Sequence, residues 1–144
     1  MSQWMLDTDH VSLLLERHPF VSRRVSEVGA EVAISIVTVQ ELFNGWVVRI
    51  NSARKVEDVV RLYGKLSRTV ALFRRVRVLD FDDFAGETFQ RLRLENSTLS
   101  KQRLQKDMRI AAIALVNDAV LVTRNYRDFS QVPSLKIEDW SQDG

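Results

Sequence analysis

Short, almost wholly apolar runs alternate with helix-spaced segments along this chain, and that alternation restricts the folds open to it. Gln3 to Leu6, Val32 to Val37, Val76 to Leu79, Ala119 to Val122 and Leu135 to Ile137 read as strands. Most of these runs are near-continuously apolar, which implies burial on both sides. Between them lie amphipathic stretches. One carries Val11, Leu14 and Leu15 from a cap at Asp9 to about His18-Pro19, and the next runs from Phe20 to Val28 and stops at Gly29. Thr38-Val39-Gln40-Glu41 fits a capping box that opens a long amphipathic hairpin from Glu41 to Phe73. Phe84 to Leu94 and Ile110 to Val116 are helical, and Ser97 to Gln105 is polar and loop-like. This order predicts an α/β fold: one domain over residues 1–144, with a mostly parallel central sheet flanked by helices. The chain is 45% hydrophobic and has no cysteine, so it can bury a core without disulfides or a zinc–thiolate site.

In an open parallel sheet the carboxyl ends of the strands share one edge, and ligands bind in the crevice there. Acidic positions recur at that edge. Asp7 follows the first strand, Glu41 the second, Asp107 opens a late helix, and the Asn125/Asp128 pair follows Val120-Leu121-Val122-Thr123. Clustered carboxylates repel one another, and such a cluster persists by holding a hard divalent cation, Mg²⁺ or Mn²⁺. Each acid also has an ordinary structural explanation. Asp7 and Asp9 suit helix caps, Glu41 suits the arm of a capping box, Asp107 suits the positive end of a helix, and Asn125 and Asp128 suit a turn. The two histidines, His10 and His18, are expected at the surface or as caps, and offer little to a histidine-centred triad or metal site. Five glycines and no glycine-rich phosphate loop argue against nucleotide binding. Basic residues gather at Arg74-Arg75-Val76-Arg77, from Lys101 to Arg109, and at Arg124 and Arg127. A basic rim around an acidic centre suits a polyanionic substrate. No apolar run is long enough to span a bilayer and no signal peptide is evident, so a soluble cytoplasmic protein without a membrane partner is expected.

Four segments together resemble the PIN-domain ribonucleases, and within them the VapC-type toxins of bacterial toxin–antitoxin pairs. Met5-Leu6-Asp7-Thr8-Asp9 is similar to that family's opening strand, and Thr38-Val39-Gln40-Glu41-Leu42-Phe43-Asn44-Gly45 to its second acidic motif. Asp107-Met108-Arg109-Ile110-Ala111-Ala112-Ile113-Ala114 is similar to its third. Leu121 through Phe129, with Val132-Pro133, Leu135 and Trp140, is similar to its closing segment. The resemblance runs nearly end to end. It implies a compact PIN-like domain whose carboxylates hold Mg²⁺ or Mn²⁺ and cut single-stranded or looped RNA, with tRNA or rRNA as plausible targets. Asp7, Glu41 and Asp107 match the family's three most constant acids. Asn125 stands at the fourth, with Asp128 three residues on, and Leu104-Gln105 stands where relatives often carry Ile-Gly.

The resemblance further implies that Asp7 and Asp107 hold the metal, that Glu41 ligates it or orients the attacking water, and that Thr8 supports the site. Asn125 would contact a metal-bound water or a phosphate oxygen, and Arg109, Arg124 and Arg127 are candidates for phosphate contacts. It implies a homodimer neutralised by a cognate VapB-type antitoxin, with a higher assembly on DNA through that antitoxin. The apolar faces at Val11 to Leu15 and Val47 to Phe73 are available to it. Two other functions fit part of the pattern. One is a non-catalytic RNA- or partner-binding module on the same fold, which the asparagine at the fourth acidic position keeps open. The other is a phosphatase of the haloacid dehalogenase type, since Asp7-Thr8-Asp9-His10-Val11 fits that family's short nucleophile motif, although nothing downstream completes it.

Overall fold

The computed structural model describes residues 3–143. Five strands, β1 (Gln3–Leu6), β2 (Val32–Ser35), β3 (Arg77–Leu79), β4 (Ala119–Val122) and β5 (Ile137–Glu138), form one sheet in the order β3-β2-β1-β4-β5. Every neighbouring pair is parallel, so the sheet is wholly rather than mostly parallel. Seven α-helices connect and cover the strands: α1 (Thr8–Leu15), α2 (Pro19–Val28), α3 (Ile36–Ser52), α4 (Val56–Arg75), α5 (Asp83–Glu95), α6 (Gln105–Val116) and α7 (Tyr126–Phe129).

Successive strand residues point to opposite faces, and both faces are covered. Met5 and Ala33 join Leu92, Met108, Ile110 and Ile113 under α5 and α6. Leu6 and Ile34 join Val11, Val21, Leu42 and Leu72 on the other face. A valine, leucine, isoleucine or methionine side chain stabilises the fold by about 1.5–3 kcal/mol when fully buried, and β2, which contributes Val32 and Ile34, is buried along its whole length. Strand order reverses direction at β1: the chain builds outward through β2 and β3, then returns to the other side of β1 for β4 and β5. The carboxyl end of β1 is therefore a topological switch point, the place where such sheets open a crevice.

Several local expectations are corrected. Asp7, not Asp9, caps α1, accepting from the Thr8 N–H, and α1 stops at Leu15, before Arg17 turns the backbone into the left-handed region at φ 62°. His18 caps α2 through Nδ1, but His10 is not at the surface: it is fully buried. β2 ends at Ser35 and α3 begins at Ile36. The cap is the Ser35 hydroxyl, which accepts from the Thr38 N–H, so no capping box forms and Glu41 lies well inside the helix with its carboxylate free to point elsewhere. The stretch from Ser97 to Gln105 is not a plain loop. It makes two 3₁₀ turns, Ser97–Ser100 and Gln102–Leu104, pinned by Leu99 and Leu104, both fully buried. α6 starts at Gln105 rather than near Ile110, and Asp107 lies in its first turn, at the positive end where it was expected. β5 is Ile137–Glu138 rather than Leu135 to Ile137.

Candidate active site

Asp7 follows β1 directly and sits between the ends of β2 and β4. The register pairs Leu6 with Ile34 on one side and Val122 on the other, so the next residues outward are Ser35 and Thr123. The Asp7 N–H continues the ladder by donating to the Val122 carbonyl at 2.9 Å. Its carboxylate is 7% exposed and fixed at both oxygens. The Thr8 N–H donates to one at 2.8 Å, and the Thr123 hydroxyl donates to the other at 2.8 Å. Thr123 is in turn fixed by accepting from the Asn125 N–H at 3.0 Å.

Glu41 reaches this edge from the second turn of α3. The Thr8 hydroxyl donates to its Oε1 at 2.7 Å, and Thr8 Oγ1 lies 3.0 Å from the Thr38 hydroxyl, which is 3.3 Å from the Ser35 hydroxyl. Because a carboxylate only accepts, the direction of the chain is set: Ser35 donates to Thr38, Thr38 to Thr8, and Thr8 to Glu41. Ser35 and Thr38 are fully buried, so the relay is anchored in the core.

Asp107 comes from the first turn of α6. Its pKa is pushed up to about 6, first by burial, then by the nearby charges of Asp128 and Glu41, and is partly offset by Arg103. Asp7 is pushed up to about 7 by burial first, then by Asp9, with Asp107 adding to the repulsion. The acids placed far apart in sequence therefore act on one another at one edge of the sheet. Asn125 caps α7, and its amide donates toward Asp107 at 3.5 Å and to Asp128 at 3.2 Å. Arg103 reaches both Asp128 oxygens at 3.4 Å. The expected site residues thus divide in two. Asp7, Thr8, Glu41, Asp107, Asn125 and Asp128 come together. The arginines do not join them through side-chain bonds: Arg109 lies two residues beyond Asp107, on the far side of α6, with its guanidinium 5.6 Å from the Phe89 ring centre. Arg124 contributes its backbone N–H to Asp9 at 3.0 Å, and Arg127 is exposed on α7.

Thr123, Thr38, Ser35, Arg103 and the Asp9–His10 pair were not identified as site residues from the sequence. His10 Nε2 accepts from the Trp140 N–H at 3.1 Å, so its proton is on Nδ1, which donates to Asp9 at 2.8 Å. Asp139 of the closing segment also lies 3.3 Å from Nε2. This pair ties the start of α1 to the closing segment. The signal for Thr123 was present but non-local, since it follows β4 as Asp7 follows β1.

Over nearly its full length the chain is 30% identical to the tRNA(fMet)-specific endonuclease VapC of Shigella flexneri, covering 98% of this chain and 100% of that protein. The chain belongs to the VapC family. It is 28% identical to ribonuclease VapC2 of Haemophilus influenzae, covering 97% of this chain and 99% of that one. Its fold matches the crystal structure of DNA-bound VapBC from Salmonella typhimurium with a TM-score of 0.77 at 27% identity, over 97% of this chain and 99% of that one. No family model matches the sequence. The fold and this kinship agree with a PIN-domain toxin of the VapC type.

The donor set at this VapC-family edge is all oxygen, and burial makes its negative charge costly, with Arg103 the cation that offsets it at Asp107. That chemistry fits a hard divalent cation. Among the described residues no three His, Asp or Glu side chains form a ready-made cage. Mg²⁺ does not require one, because it keeps several waters and is commonly held by one or two carboxylates.

Proposed function

We propose that this VapC-type toxin is an endoribonuclease dependent on Mg²⁺ or Mn²⁺, with Asp7 and Asp107 holding the ion, Glu41 completing the reactive group and Asn125 taking the fourth acidic place. The chain is an RNA-cleaving toxin neutralised by a VapB-type antitoxin, and the pair assembles on DNA. The observation that carries the assignment of the site is the convergence of the acids at the switch point: Thr8 donates its N–H to Asp7 and its hydroxyl to Glu41, while Asn125 donates its N–H to the Thr123 hydroxyl that holds Asp7 and turns its amide toward Asp107, so like charges stand close together. Paying that repulsion without a counter-ion gives a folded protein no benefit.

A divalent ion held there supplies neutralisation of the charge building on the scissile phosphate and acidity for the attacking water. The rest of the work falls to the chain. Thr8 and Thr123 fix the two Asp7 oxygens, so that carboxylate presents one orientation. Glu41, held by the Thr8 hydroxyl, is placed to accept the proton of the water that attacks in line and expels the ribose 3′-oxygen. The Asn125 amide holds Asp107 or donates to a phosphate oxygen. Asp128, paired with Arg103, supports that amide. Arg124 and Arg127, exposed beside Asn125, remain the proposed phosphate contacts from the sequence, whereas the position of Arg109 favours packing. We further propose a cytoplasmic homodimer over a single domain. Among the described residues no helix is long and apolar enough to cross a membrane.

The test is incubation of the purified chain with cellular RNA, with and without Mg²⁺ or Mn²⁺, followed by mapping of new ends, beside Asp7→Asn with its folding checked. Metal-dependent cuts that vanish in the variant are expected. Intact RNA in the presence of either metal, from a folded wild type, would remove the catalytic assignment. Release of phosphate from small phosphomonoesters would instead favour the phosphatase.

A further inference from the structure

Beside Glu41 the acidic edge gives way to a groove of about 730 Å³ between α1, α3 and α4. Thr8 and Glu41 form one end, and Arg17, Arg49, Lys65 and Arg68 line it beyond them, four cations against the single further carboxylate of Glu16. None of these four cations pairs with a carboxylate among the described residues, whereas Arg23, Arg24, Arg61 and Arg103 all do. Two of them are held without being neutralised. Arg49 lies 4.9 Å and Lys65 5.9 Å from the centre of the Trp46 ring, a contact that orients a cation while leaving its charge available. The ring is itself fixed, because its N–H donates to Thr69 at 3.0 Å and the Thr69 hydroxyl donates to the Lys65 carbonyl at 2.9 Å. A second hollow of about 410 Å³ shares Trp46, Arg49 and Lys65 and extends the same surface towards Ser52 at the hairpin turn.

The acids at the sheet edge repel a phosphodiester as strongly as they attract a metal, so the edge alone does not draw a polyanion in. Charge on the flank must offset that repulsion. We infer that the α1–α3–α4 groove seats the phosphate backbone of single-stranded RNA leading into the site, with Arg49, Lys65 and Arg68 as its contacts, Arg17 at its mouth and Trp46 as the residue that positions the first two. The inference rests on the chain being a ribonuclease, and it names a substrate track that the arginines flanking Asn125 do not form.

Binding of a short fluorescent uridine oligomer, measured by anisotropy in the Asp7→Asn background over a range of salt, tests it. Arg49→Gln, Lys65→Gln and Arg68→Gln together are expected to weaken binding about tenfold or more and to lower the slope of log Kd against log salt by about 2, since each single-strand phosphate contact contributes about 0.7. Each single substitution carries about a third of that change, which keeps the test open if the triple variant folds poorly. Arg17→Gly removes a charge at a left-handed position where glycine is favoured, so it is expected to reduce the slope without loss of stability. Lys136→Gln, just before β5 at the opposite edge of the sheet, is expected to leave binding unchanged. An unchanged Kd and slope in the folded triple variant would overturn the inference. So would tighter binding of an oligo-glutamate of equal charge, which would make an acidic polypeptide the occupant. RNA cleavage by the wild type is scored separately: binding with the expected slope but no cutting would keep the groove and remove the nuclease.

Discussion

Asp7→Asn removes a proposed metal ligand and also a costly buried charge, so it is expected to abolish cleavage while making the metal-free protein more stable. The folded carboxyl holds its proton up to about pH 7, against 3.8 for the free side chain. Between those values Asp7 binds more proton in the native state than in the unfolded chain, so its contribution to stability is highest at acid pH, falls as pH rises through this window, and levels off above about 7. This is the reverse of a carboxylate stabilised by an ion pair. At about 1.4 kcal/mol per tenfold change in proton affinity, the gap corresponds to about 4 kcal/mol of lost stability at about pH 8. The replacement amide must donate to Thr123 Oγ1 where the carboxylate now accepts from it, a rearrangement costing about 1 kcal/mol. The net expectation is a gain of about 3 kcal/mol at about pH 8 and a change of less than about 1 kcal/mol at about pH 4. Urea unfolding in EDTA at both pH values, followed by far-ultraviolet circular dichroism, measures it. A stability change that is the same at the two pH values, or a loss at the higher one, would refute the claim that desolvation dominates at Asp7.

Mg²⁺ affinity is expected to rise with pH until Asp107 and then Asp7 have lost their protons, near 6 and 7, and to level off above; a flat profile by calorimetry would contradict their role as ligands. Thr38→Val keeps the side-chain volume but breaks the hydroxyl relay to Thr8 and Glu41, and is expected to slow cleavage about tenfold with RNA affinity unchanged, measured in single-turnover assays. His10→Ala opens a cavity and leaves the Trp140 N–H without its partner, for a loss of about 2–4 kcal/mol in urea unfolding. Asn125→Asp replaces an amide donor with a charge beside Asp107 and Asp128, and is expected to lower metal-free stability above about pH 6 while tightening Mn²⁺ binding, read by unfolding and calorimetry.

The strands were legible because most carry apolar side chains on both faces, and a run such as Val32 to Ile34 has few other places to go. Their ends were not. Ser35 and Thr38 are both good caps, and Ile36 and Val37 are β-branched, so local preference extends the strand by two residues. The competition is settled by the buried Ser35 hydroxyl, which caps α3 and joins the chain from Thr38 through Thr8 to Glu41. The same difference removes the capping role open to Glu41 and leaves its carboxylate to the site, where the sequence also placed it. The convergence of Asp7, Glu41 and Asp107 was legible from the order of elements alone. Thr123 was not, because its role depends on β4 lying beside β1 in a particular register, a contact between residues more than a hundred positions apart. The position of Arg109 was available from helix geometry: two residues from Asp107, it lies on the other side of α6.

Asn125 shows how the site limits its own electrostatic cost. Burial first, and then the nearby charges of Asp128, Glu41 and Asp9, hold the Asp107 proton to about pH 6. A carboxylate at position 125 would add another charge at the point where the present amide reaches Asp107 and Asp128 as a donor. Arg103 offsets the same acids from the other side, and it is placed there by Leu99 and Leu104, the two fully buried leucines of an otherwise polar segment. Packing in that segment thus sets the charge balance at Asp107. A neutral amide and one arginine limit the repulsion around Asp107, while Asp7 and Asp107, the proposed metal ligands, keep their raised pKa values.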